Sequence, residues 1–462
     1  MAPIPRIPNP QSPSPNPRSQ VRYHRKVRNL SPLVGGAVLA VVAGVTVGVT
    51  AQRRDAFSAS REHPAIAYAA REGNNPVRRL SDAVGAGQAP LAFENESRGY
   101  LQAVLKALDI GTDSQVLVFS ETSKQARYIA PSHPRAVYFN DTVAVGWVPG
   151  AEVLEVAAHD AEQGVSFYAL TQKPAARPQL TREIGCLLCH LTWDTLAVPG
   201  FTTLSTFPMS DDPNAYAQGV VVDHRTPLAE RWGGWYVTGR LVPSRHLGNL
   251  PVIRPEAELS RPASAAPRLE SVASKLAAPE IYPSATSDVA ALMVFNHQTH
   301  AANLLTWVGW ETRVALAEHK PLDRVDDAVR DLVDYFLFVD EAPVVSPIAG
   351  TSGFAEAFAA RGPRDPQGRS LRQLDLRTRL MRFPCSYMIY SPAFDALPPV
   401  ARDKVYARLW RVLSGQDPDR RYAKLSAADR RAVVEILRAT RAQLPEYFRS
   451  SSAGADDVKP QP

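Results

Sequence analysis

The sequence predicts an α+β fold, with a mixed region that contains a small antiparallel sheet over residues 60–172, a loop-rich region over 173–282 and a helical region over 283–447. Short β-branched and aromatic runs separated by turn residues crowd residues 114–172, which is the pattern of antiparallel strands. Apolar residues recur every three or four positions in the last third of the chain, which is the pattern of helices packed on a core. With 45% hydrophobic and 21% charged residues, the composition is that of a globular protein.

Two N-terminal segments precede this globular part. Residues 1–20 are rich in proline and have almost no large apolar side chains, so we expect a disordered arm. Residues 33–51 are uncharged and apolar, and as a helix they would rise about 28 Å, close to the hydrocarbon thickness of a bilayer. Basic residues crowd the N-terminal side of this stretch: Arg22, Arg25, Lys26 and Arg28. The sequence therefore predicts a transmembrane anchor with a cytoplasmic N-terminus.

The apolar stretch also predicts where the rest of the chain lies. An anchor in this orientation makes a single-pass protein of the bacterial cytoplasmic membrane, with the bulk of the chain on the periplasmic or outer side. A signal peptide cleaved after Ala51 is the alternative, since small residues precede that position. Gly44 and Gly48 form a G-x-x-x-G pair, which predicts close approach of two such helices and hence a homodimer. Much of the excess in the net charge of +6 lies in the N-terminal arm, so no nucleic-acid partner is expected.

The mixed region begins with predicted helices and continues with five predicted strands. "PVRRLSDAV" and "RGYLQAVLKALDI" have helical periodicity, and the second places Leu101, Leu105 and Leu108 on one face. The strands are expected in "SQVLVFS", "RAVYFN", "TVAVGWV", "VLEVAAH" and "VSFYALTQ". A proline-bearing linker, "KPAARPQ", follows the last of them.

The remaining chain is expected to be mostly loop and then mostly helix. "RWGGWYVTG" is predicted to be a strand whose aromatic rings pack in the core, with electron-hopping or peroxidase radical sites as the alternative. Helices are predicted in "SDVAALMVFNHQTHAANLLTWVGWETRVALAEH" and "DDAVRDLVDYFLFVD". A further helix should begin after Ser426, because Ser426 and Asp429 have capping-box spacing. The tail at 448–462 is expected to be disordered.

The most specific motif is C-x-x-C-H at Cys186, Cys189 and His190, which uses two of the three cysteines. It is the attachment motif of c-type haem, in which both thiols add across porphyrin vinyl groups and the histidine binds the iron from the proximal side. A structural zinc site needs a fourth ligand, but Cys385 has no neighbouring Cys or close His. A thioredoxin-like dithiol needs a βαβ context, whereas a loop with Pro199 follows the motif. We therefore expect one covalently bound haem c, which also agrees with export of the chain.

Four further segments strengthen this interpretation by resemblance. They are "RAVYFNDTVAVGWVPG", "DHRTPLAERWGGWYVTG", "FNHQTHAANLLTWVGWE" and "CSYMIYSPAFDALP". Together with the attachment motif of c-type cytochromes, they resemble a largely uncharacterised family of large, membrane-anchored bacterial cytochrome c domain proteins with a single haem motif. The resemblance covers most of residues 60–447 and implies a haem protein, but it implies little about a substrate. The motif follows a predicted sheet, which does not fit the simple three-helix fold of small soluble cytochromes.

The ligand on the opposite side of the iron decides what the haem does. A Met or His there closes the iron and makes an electron carrier, whereas an open position permits peroxide or oxygen chemistry. His297 is the first candidate, because it lies beside His300 on the long predicted helix and because "NHQT" is the better-matched core of the resemblance. His246, His224 and Met209 lie on loops and rank lower.

Other residues are expected to contact the haem or His190. Arg225 and Arg245 are candidate partners for the haem propionates, since a guanidinium fork suits a carboxylate, with surface solvation as the alternative. The Val198 carbonyl is expected to accept a hydrogen bond from the free ring nitrogen of His190, which would orient the imidazole and raise its basicity. Cys385 is interpreted as a buried apolar residue.

These observations predict one-electron transfer through a covalently attached haem. The alternative is a haem-dependent oxidoreductase, peroxidase-like or an oxidase, with an open distal site. It stays open because a carrier seldom needs so much protein around one haem. A third interpretation makes the sheet a partner-binding module. Redox donor and acceptor proteins are expected as partners, and no sequence feature identifies them.

Overall fold

The computed structural model describes residues 61–206, 219–250 and 267–449. The arm and the transmembrane span predicted before residue 52, Met209, and the predicted tail after residue 449 lie outside these ranges. Within them, no helix combines the length and the apolar character that a membrane crossing requires. The described residues form a mixed structure of helices and sheet, which confirms the predicted class at that level.

A six-stranded antiparallel sheet occupies the first half of the described chain. Each strand pairs with the next one in sequence, which makes the sheet a meander. The strands are β1 (Val116–Val118), β2 (Arg135–Phe139), β3 (Val143–Trp147), β4 (Val153–Asp160), β5 (Gly164–Thr171) and β6 (Leu180–Arg182). The five predicted strands coincide with β1 to β5, because β-branched and aromatic residues fit a pleated, largely buried surface. A separate two-stranded pair consists of β7 (Leu204–Ser205) and β8 (Val220–Val221).

The two faces of the sheet belong to different hydrophobic cores, because successive side chains of a strand point to opposite faces. Tyr138 and Trp147 lie on one face and pack with the first two helices. These helices are α1 (Pro76–Gly85) and α2 (Leu101–Ala107). Val137 and Phe139 lie on the opposite face and join the core of the helical region. The sheet therefore connects the two halves of the fold.

A helix of 29 residues, α4 (Val289–Ala317), is the main element of the helical region. Most of its residues are buried, as expected for a helix that is surrounded by protein. Asp288 caps its N-terminus, because Oδ1 accepts hydrogen bonds from the backbone N–H groups of Ala290 (2.8 Å) and Ala291 (3.2 Å). The other helices are α3 (Leu187–His190), α5 (Asp323–Phe336), α6 (Phe354–Ala360), α7 (Pro392–Asp395), α8 (Pro399–Leu413), α9 (Ala427–Thr440) and α10 (Glu446–Arg449).

The long periodic segments form helices where the sequence predicted them. The segments expected before the sheet contain α1 and α2, and the later ones contain α4, α5 and α9. The predicted cap of α9 is also present, since Ser426 Oγ accepts a hydrogen bond from the backbone N–H of Asp429 at 3.0 Å. Helical periodicity and cap chemistry therefore agree with the tertiary structure in this region.

The strand predicted in "RWGGWYVTG" is wrong. Trp232 and Gly234 have φ angles of 69° and 82°, which turn the chain out of the extended conformation. Trp235 and Thr238 form only isolated bridges instead of a strand. The expected packing of the rings in the core is nevertheless found, because Trp232 is fully buried and its Nε1–H donates a hydrogen bond to Asn296 Oδ1 (2.9 Å).

Candidate functional site

The C-x-x-C-H motif lies between the sheet and helix α4. The backbone N–H of Glu183, just after β6, donates to the Phe167 carbonyl of β5 at 2.8 Å, which fixes where the chain leaves the sheet. Cys186 ends a short turn, and α3 then carries Cys189 and His190. Residues three apart lie on the same side of a helical turn, so both thiols face one way. Both cysteines are free, with Cys186 half-buried and Cys189 exposed.

His190 is held by a pair of hydrogen bonds to Gly200. Its Nδ1–H donates to the Gly200 carbonyl at 3.1 Å, and the Gly200 N–H donates to the His190 carbonyl at 2.9 Å. The ring also packs against Phe167, with ring centroids 4.6 Å apart. A carbonyl only accepts, so Nδ1 carries the proton and Nε2 has a free lone pair. Within the described residues Nε2 has no hydrogen-bond partner, which leaves it available to a metal.

The expected contact from His190 to the Val198 carbonyl is wrong. Leu196 and Ala197 adopt φ angles of 59° and 64°, and this left-handed turn brings Gly200 rather than Val198 opposite His190. The Pro199 carbonyl points the other way and accepts a hydrogen bond from the Val165 N–H at 2.9 Å. The predicted kind of contact is therefore present, but two residues further along the loop.

Helix α4 fixes the loop that supports His190. Asn303 Oδ1 accepts a hydrogen bond from the Phe201 N–H at 2.9 Å, and Asn303 Nδ2–H donates to the Phe201 carbonyl at 2.8 Å. Gly200 lies so close to this amide that an added Cβ would be 2.4 Å from Asn303 Oδ1. Asn303 therefore positions Gly200, and Gly200 positions His190.

The electrostatic environment keeps His190 neutral. Part of the side chain is exposed, but burial of the ring lowers the pKa of His190 to about 4, although its hydrogen bond to Gly200 acts in the opposite direction. A metal binds only the neutral imidazole, so this pKa favours ligation at neutral pH. Burial also raises the pKa of the Cys186 thiol, and the Lys124 ammonium opposes that rise.

Large apolar side chains around the motif are exposed. Leu188 is 85% exposed, Trp193 67% and Ile184 41%. These three residues, called the apolar patch below, lie within ten residues of sequence that also contain both thiols. Apolar patches of this kind mark places where another molecule binds. A flat apolar porphyrin attached through the two sulfurs would cover such a patch.

Two cations lie beside the motif that sequence analysis did not identify. The Lys124 ammonium is 3.0 Å from where a Cβ would be at Gly185, the residue before Cys186. Arg135, on β2, forms an ion pair with Glu155 at 2.6 Å, and its buried Nε has no hydrogen-bond partner within the described ranges. Both residues are far from the motif in sequence, and only the pairing of the strands brings them together.

The predicted propionate partners lie elsewhere. Arg225 donates through Nε to the Val339 carbonyl at 3.1 Å, and its guanidinium lies 5.0 Å from the centre of the Tyr335 ring. Arg245 is exposed, and no ion pair joins it to another described residue. Neither arginine contacts the motif in the described part of the chain.

His297, the first candidate for the distal ligand, is fully buried in the helical core. Its Nδ1 lies 2.8 Å from His224 Nδ1, and its Nε2 lies 2.7 Å from Ser386 Oγ. The Tyr335 ring stacks parallel to it, with centroids 5.2 Å apart. Burial lowers the pKa of His297 to about 3. Both ring nitrogens are therefore engaged, and binding to iron would require one of these hydrogen bonds to break.

The other candidates for the distal ligand have different surroundings from those of His297. His246 is fully buried beside Trp232, with ring centroids 5.7 Å apart, and neither of its ring nitrogens has a partner within the described residues. Burial lowers the pKa of His246 to about 4. His300 lies on α4 near Asp223, with 4.0 Å between Nε2 and Oδ2. Met209 is outside the described residues.

The residues of the motif carry the groups that covalent attachment of a haem needs. Two free thiols, a neutral imidazole with an available Nε2 and an exposed apolar patch are what haem c attachment requires. In the described part of the chain, no group of three or more His, Cys, Asp or Glu side chains is arranged to hold a metal ion, so Cys186, Cys189 and His190 do not converge on a zinc position.

In comparisons with known proteins, no family model, no curated protein and no solved structure matches this chain.

Proposed function

We propose that the chain is an exported, membrane-anchored c-type cytochrome that transfers single electrons through one haem attached covalently to Cys186 and Cys189. The observation that carries this proposal is the local geometry of His190. Its Nδ1–H is bound by the Gly200 carbonyl and its Nε2 is free, next to two free thiols on one side of a helical turn. A haem c bound there supplies the one-electron ferric–ferrous couple.

Each residue of the site has a role in this function. Cys186 and Cys189 supply the sulfur atoms of the two thioether bonds, and His190 Nε2 binds the iron. The Gly200 carbonyl holds the ring orientation and raises the basicity of the imidazole, which favours the ferric state. Ile184, Leu188 and Trp193 are exposed beside the attachment point, and a porphyrin attached there would remove part of their apolar surface from water.

Lys124 and Arg135 are better placed than Arg225 and Arg245 to meet the haem propionates. Both influence the titration of Cys186 and His190 through their positive charges, so they lie near the attachment point. The ammonium of Lys124 and the guanidinium of Arg135 carry the positive charge that a propionate needs, and a guanidinium prefers carboxylate acceptors. We therefore assign the propionate contacts to these two residues.

The location of the protein rests on the sequence of residues 33–51 alone. An uncharged stretch of that length behind a basic segment is typical of a single-pass anchor. The machinery that forms thioether bonds to haem operates on the outer side of the bacterial cytoplasmic membrane, so the proposed cofactor and the proposed anchor support each other.

Haem staining after denaturing electrophoresis tests the attachment. The full chain, produced in a bacterium that matures c-type cytochromes, should keep its haem stain after boiling in detergent. The Cys186→Ala, Cys189→Ala double variant should lose the stain. Cys385→Ala is the matched control, because Cys385 is fully buried in the helical core, and it should keep the stain. Covalent haem in the double variant would overturn the assignment.

A haem oxidoreductase with an open distal site is the second candidate function. It is favoured by one observation, namely that both ring nitrogens of His297 already have hydrogen-bond partners. The absorption spectrum of the oxidised protein with and without cyanide separates the two functions. A low-spin spectrum that cyanide does not change supports the carrier, and a high-spin spectrum that cyanide converts to low spin supports the enzyme. A His297→Gln variant with an unchanged spectrum would remove His297 as the distal ligand.

A further inference from the structure

Several buried polar side chains meet under the turn that joins β4 to β5. Asp160, Gln163 and Ser166 are 4%, 2% and 0% exposed. Four of their polar atoms have no hydrogen-bond partner within the described residues: Asp160 Oδ2, Gln163 Oε1, Gln163 Nε2 and Ser166 Oγ. Buried polar atoms are nearly always hydrogen-bonded, so four unpaired atoms on one turn point to a bound ligand.

Two of the unpaired atoms, Asp160 Oδ2 and Gln163 Oε1, lie beside a space that a glycine leaves open. A Cβ added at Gly73 would lie 2.7 Å from Asp160 Oδ2, 3.2 Å from Gln163 Oε1 and 3.2 Å from Asn75 Nδ2. Ser166 belongs to the same face of the sheet as Asp160, because Ser166 pairs with Ala158 and the faces alternate. Gly73 therefore forms one wall of a polar cradle whose other walls are Asp160, Gln163 and Asn75.

The charge of this cradle is unbalanced. Asp160 Oδ1 accepts hydrogen bonds from the backbone N–H groups of Glu162 and Gln163, both at 3.0 Å. The second oxygen has no partner, and no ion pair joins Asp160 to any described cation. The neighbouring Arg71 is engaged by Glu162 at 3.1 Å on the exposed side of the turn. A buried carboxylate is costly unless it is paired or fully hydrogen-bonded, so the site calls for a positive ligand.

We infer that this cradle is a binding site for a hard cation, with Ca²⁺ as the ion that fits it best. The cradle offers the unpaired carboxylate oxygen of Asp160 and the amide oxygen of Gln163, which are oxygen ligands of the kind that Ca²⁺ accepts, and water can supply the remaining positions. None of the unpaired atoms of the cradle is a sulfur or an imidazole nitrogen, which disfavours softer transition metals. A single carboxylate predicts weak binding, with a Kd of about 10⁻⁴–10⁻³ M as in extracellular calcium modules.

The cation also has a structural consequence for the chain around it. The backbone of Val165, directly after the turn, donates a hydrogen bond to the Pro199 carbonyl at 2.9 Å. Pro199 precedes Gly200, so the turn supports the loop that holds His190. Binding of the cation to the native state alone should raise the thermal unfolding midpoint by an amount that grows with the logarithm of the free calcium concentration above the Kd. The inference does not depend on haem, because every ligand atom belongs to residues outside the motif.

Calorimetric titration of the full chain with CaCl₂, together with thermal unfolding with and without millimolar CaCl₂, tests the site. The wild type should bind one Ca²⁺ and unfold at a higher midpoint when Ca²⁺ is present. Asp160→Asn should weaken binding by at least about tenfold, because ligand charge sets calcium affinity, while its remaining oxygen still caps the turn. Gly73→Ala should abolish binding by filling the cradle without removing a ligand.

Glu162→Gln is the matched control, because it removes one negative charge from the same turn at an exposed position. This variant should bind Ca²⁺ like the wild type. If Asp160→Asn does not fold, the Gly73→Ala variant decides the question. Absence of calcium binding by the wild type, or equal binding by the Gly73→Ala variant, would overturn the inference. A crystal grown with Ca²⁺ that shows only water in the cradle would overturn it as well.

Discussion

Substitution of Asn303 by leucine should separate the support of His190 from the stability of the fold. Leucine has nearly the shape of asparagine but cannot form the two hydrogen bonds that join Asn303 to the backbone of Phe201 at 2.9 and 2.8 Å. Each loss leaves one backbone group of the loop without a partner, at about 1–3 kcal/mol per group. We therefore expect the free energy of unfolding to fall by about 2–6 kcal/mol.

The same substitution should change the haem. Once Phe201 is released, the Gly200 carbonyl would no longer hold His190 Nδ1–H at 3.1 Å, and in the proposed haem protein the imidazole would be a weaker donor to iron. Loss of such a supporting contact typically costs about tenfold in metal affinity, and a tenfold loss confined to the ferric state of a one-electron couple would correspond to about 60 mV. Because the ferric state is the more dependent on a basic ligand, the reduction potential should rise by roughly that amount.

Gln298→Met provides the matched control on the same helix. Gln298 also makes two hydrogen bonds, donating to the Asn140 carbonyl and accepting from Tyr387 Oη, both at 2.7 Å. Its loss should cost a similar free energy of unfolding, because the number of broken hydrogen bonds is the same, but it should leave the potential unchanged. Denaturant unfolding and a spectroscopic redox titration measure the two effects. Equal potentials for Asn303→Leu and Gln298→Met would refute the proposed support of His190.

Three further predictions concern the stability of the fold. Burial lowers the pKa of His159 to about 4, so the unfolded chain takes up a proton first as the pH falls, and stability should decrease by up to about 1.4 kcal/mol per pH unit between roughly pH 6.5 and 4. His159→Gln should reduce that pH dependence, as measured by denaturant unfolding across this range. Ser426→Ala removes the cap of α9 that binds the Asp429 N–H at 3.0 Å and should cost about 1 kcal/mol in urea unfolding. Arg372→Lys breaks the two-pronged contact with Asp141 at 2.8 and 3.0 Å and should cost about 2 kcal/mol in the same assay.

Each of these predictions has a result that contradicts it. For His159, an identical pH dependence in the wild type and the His159→Gln variant would show that the imidazole is not held neutral. For Ser426, a Ser426→Gly variant should lose only a few tenths of a kcal/mol, and an equal loss in both variants would argue against the side-chain cap. For Arg372, unchanged stability of the lysine variant would mean that a single charge at this position is sufficient.

The sequence was most informative where local pattern and tertiary environment agree. β1 to β5 follow runs of β-branched and aromatic residues, and α9 begins at the serine that its capping spacing indicated. The "RWGGWYVTG" segment was predicted wrongly because its aromatic residues are of a type enriched in strands, although its Gly233-Gly234 pair is a turn signal and the chain does turn there, with positive φ angles at Trp232 and Gly234. Local sequence pattern was thus a good guide to where helices and strands lie, and a poor guide to the conformation of the segments between them.

The motif itself was recognisable because its chemistry is contained in five consecutive residues. The residues that support the motif could not be recognised from the sequence. Asn303, Lys124 and Arg135 lie near it only because of the packing of α4 and the pairing of the strands. The expected contact with the Val198 carbonyl missed by two residues because a left-handed turn at Leu196 cannot be inferred from a leucine. Long-range neighbours of a site therefore require the fold.

The covalent state of Cys186 and Cys189 is the most direct test of the proposed function. Mass spectrometry should be applied to the peptide that follows Arg182, taken from the full chain made in a bacterium with a c-type maturation system. We predict that this peptide carries the mass of one haem, with fragment ions that assign a thioether to each cysteine. The same peptide with two unmodified thiols, or with a disulfide between them, would contradict the assignment of this chain as a c-type cytochrome.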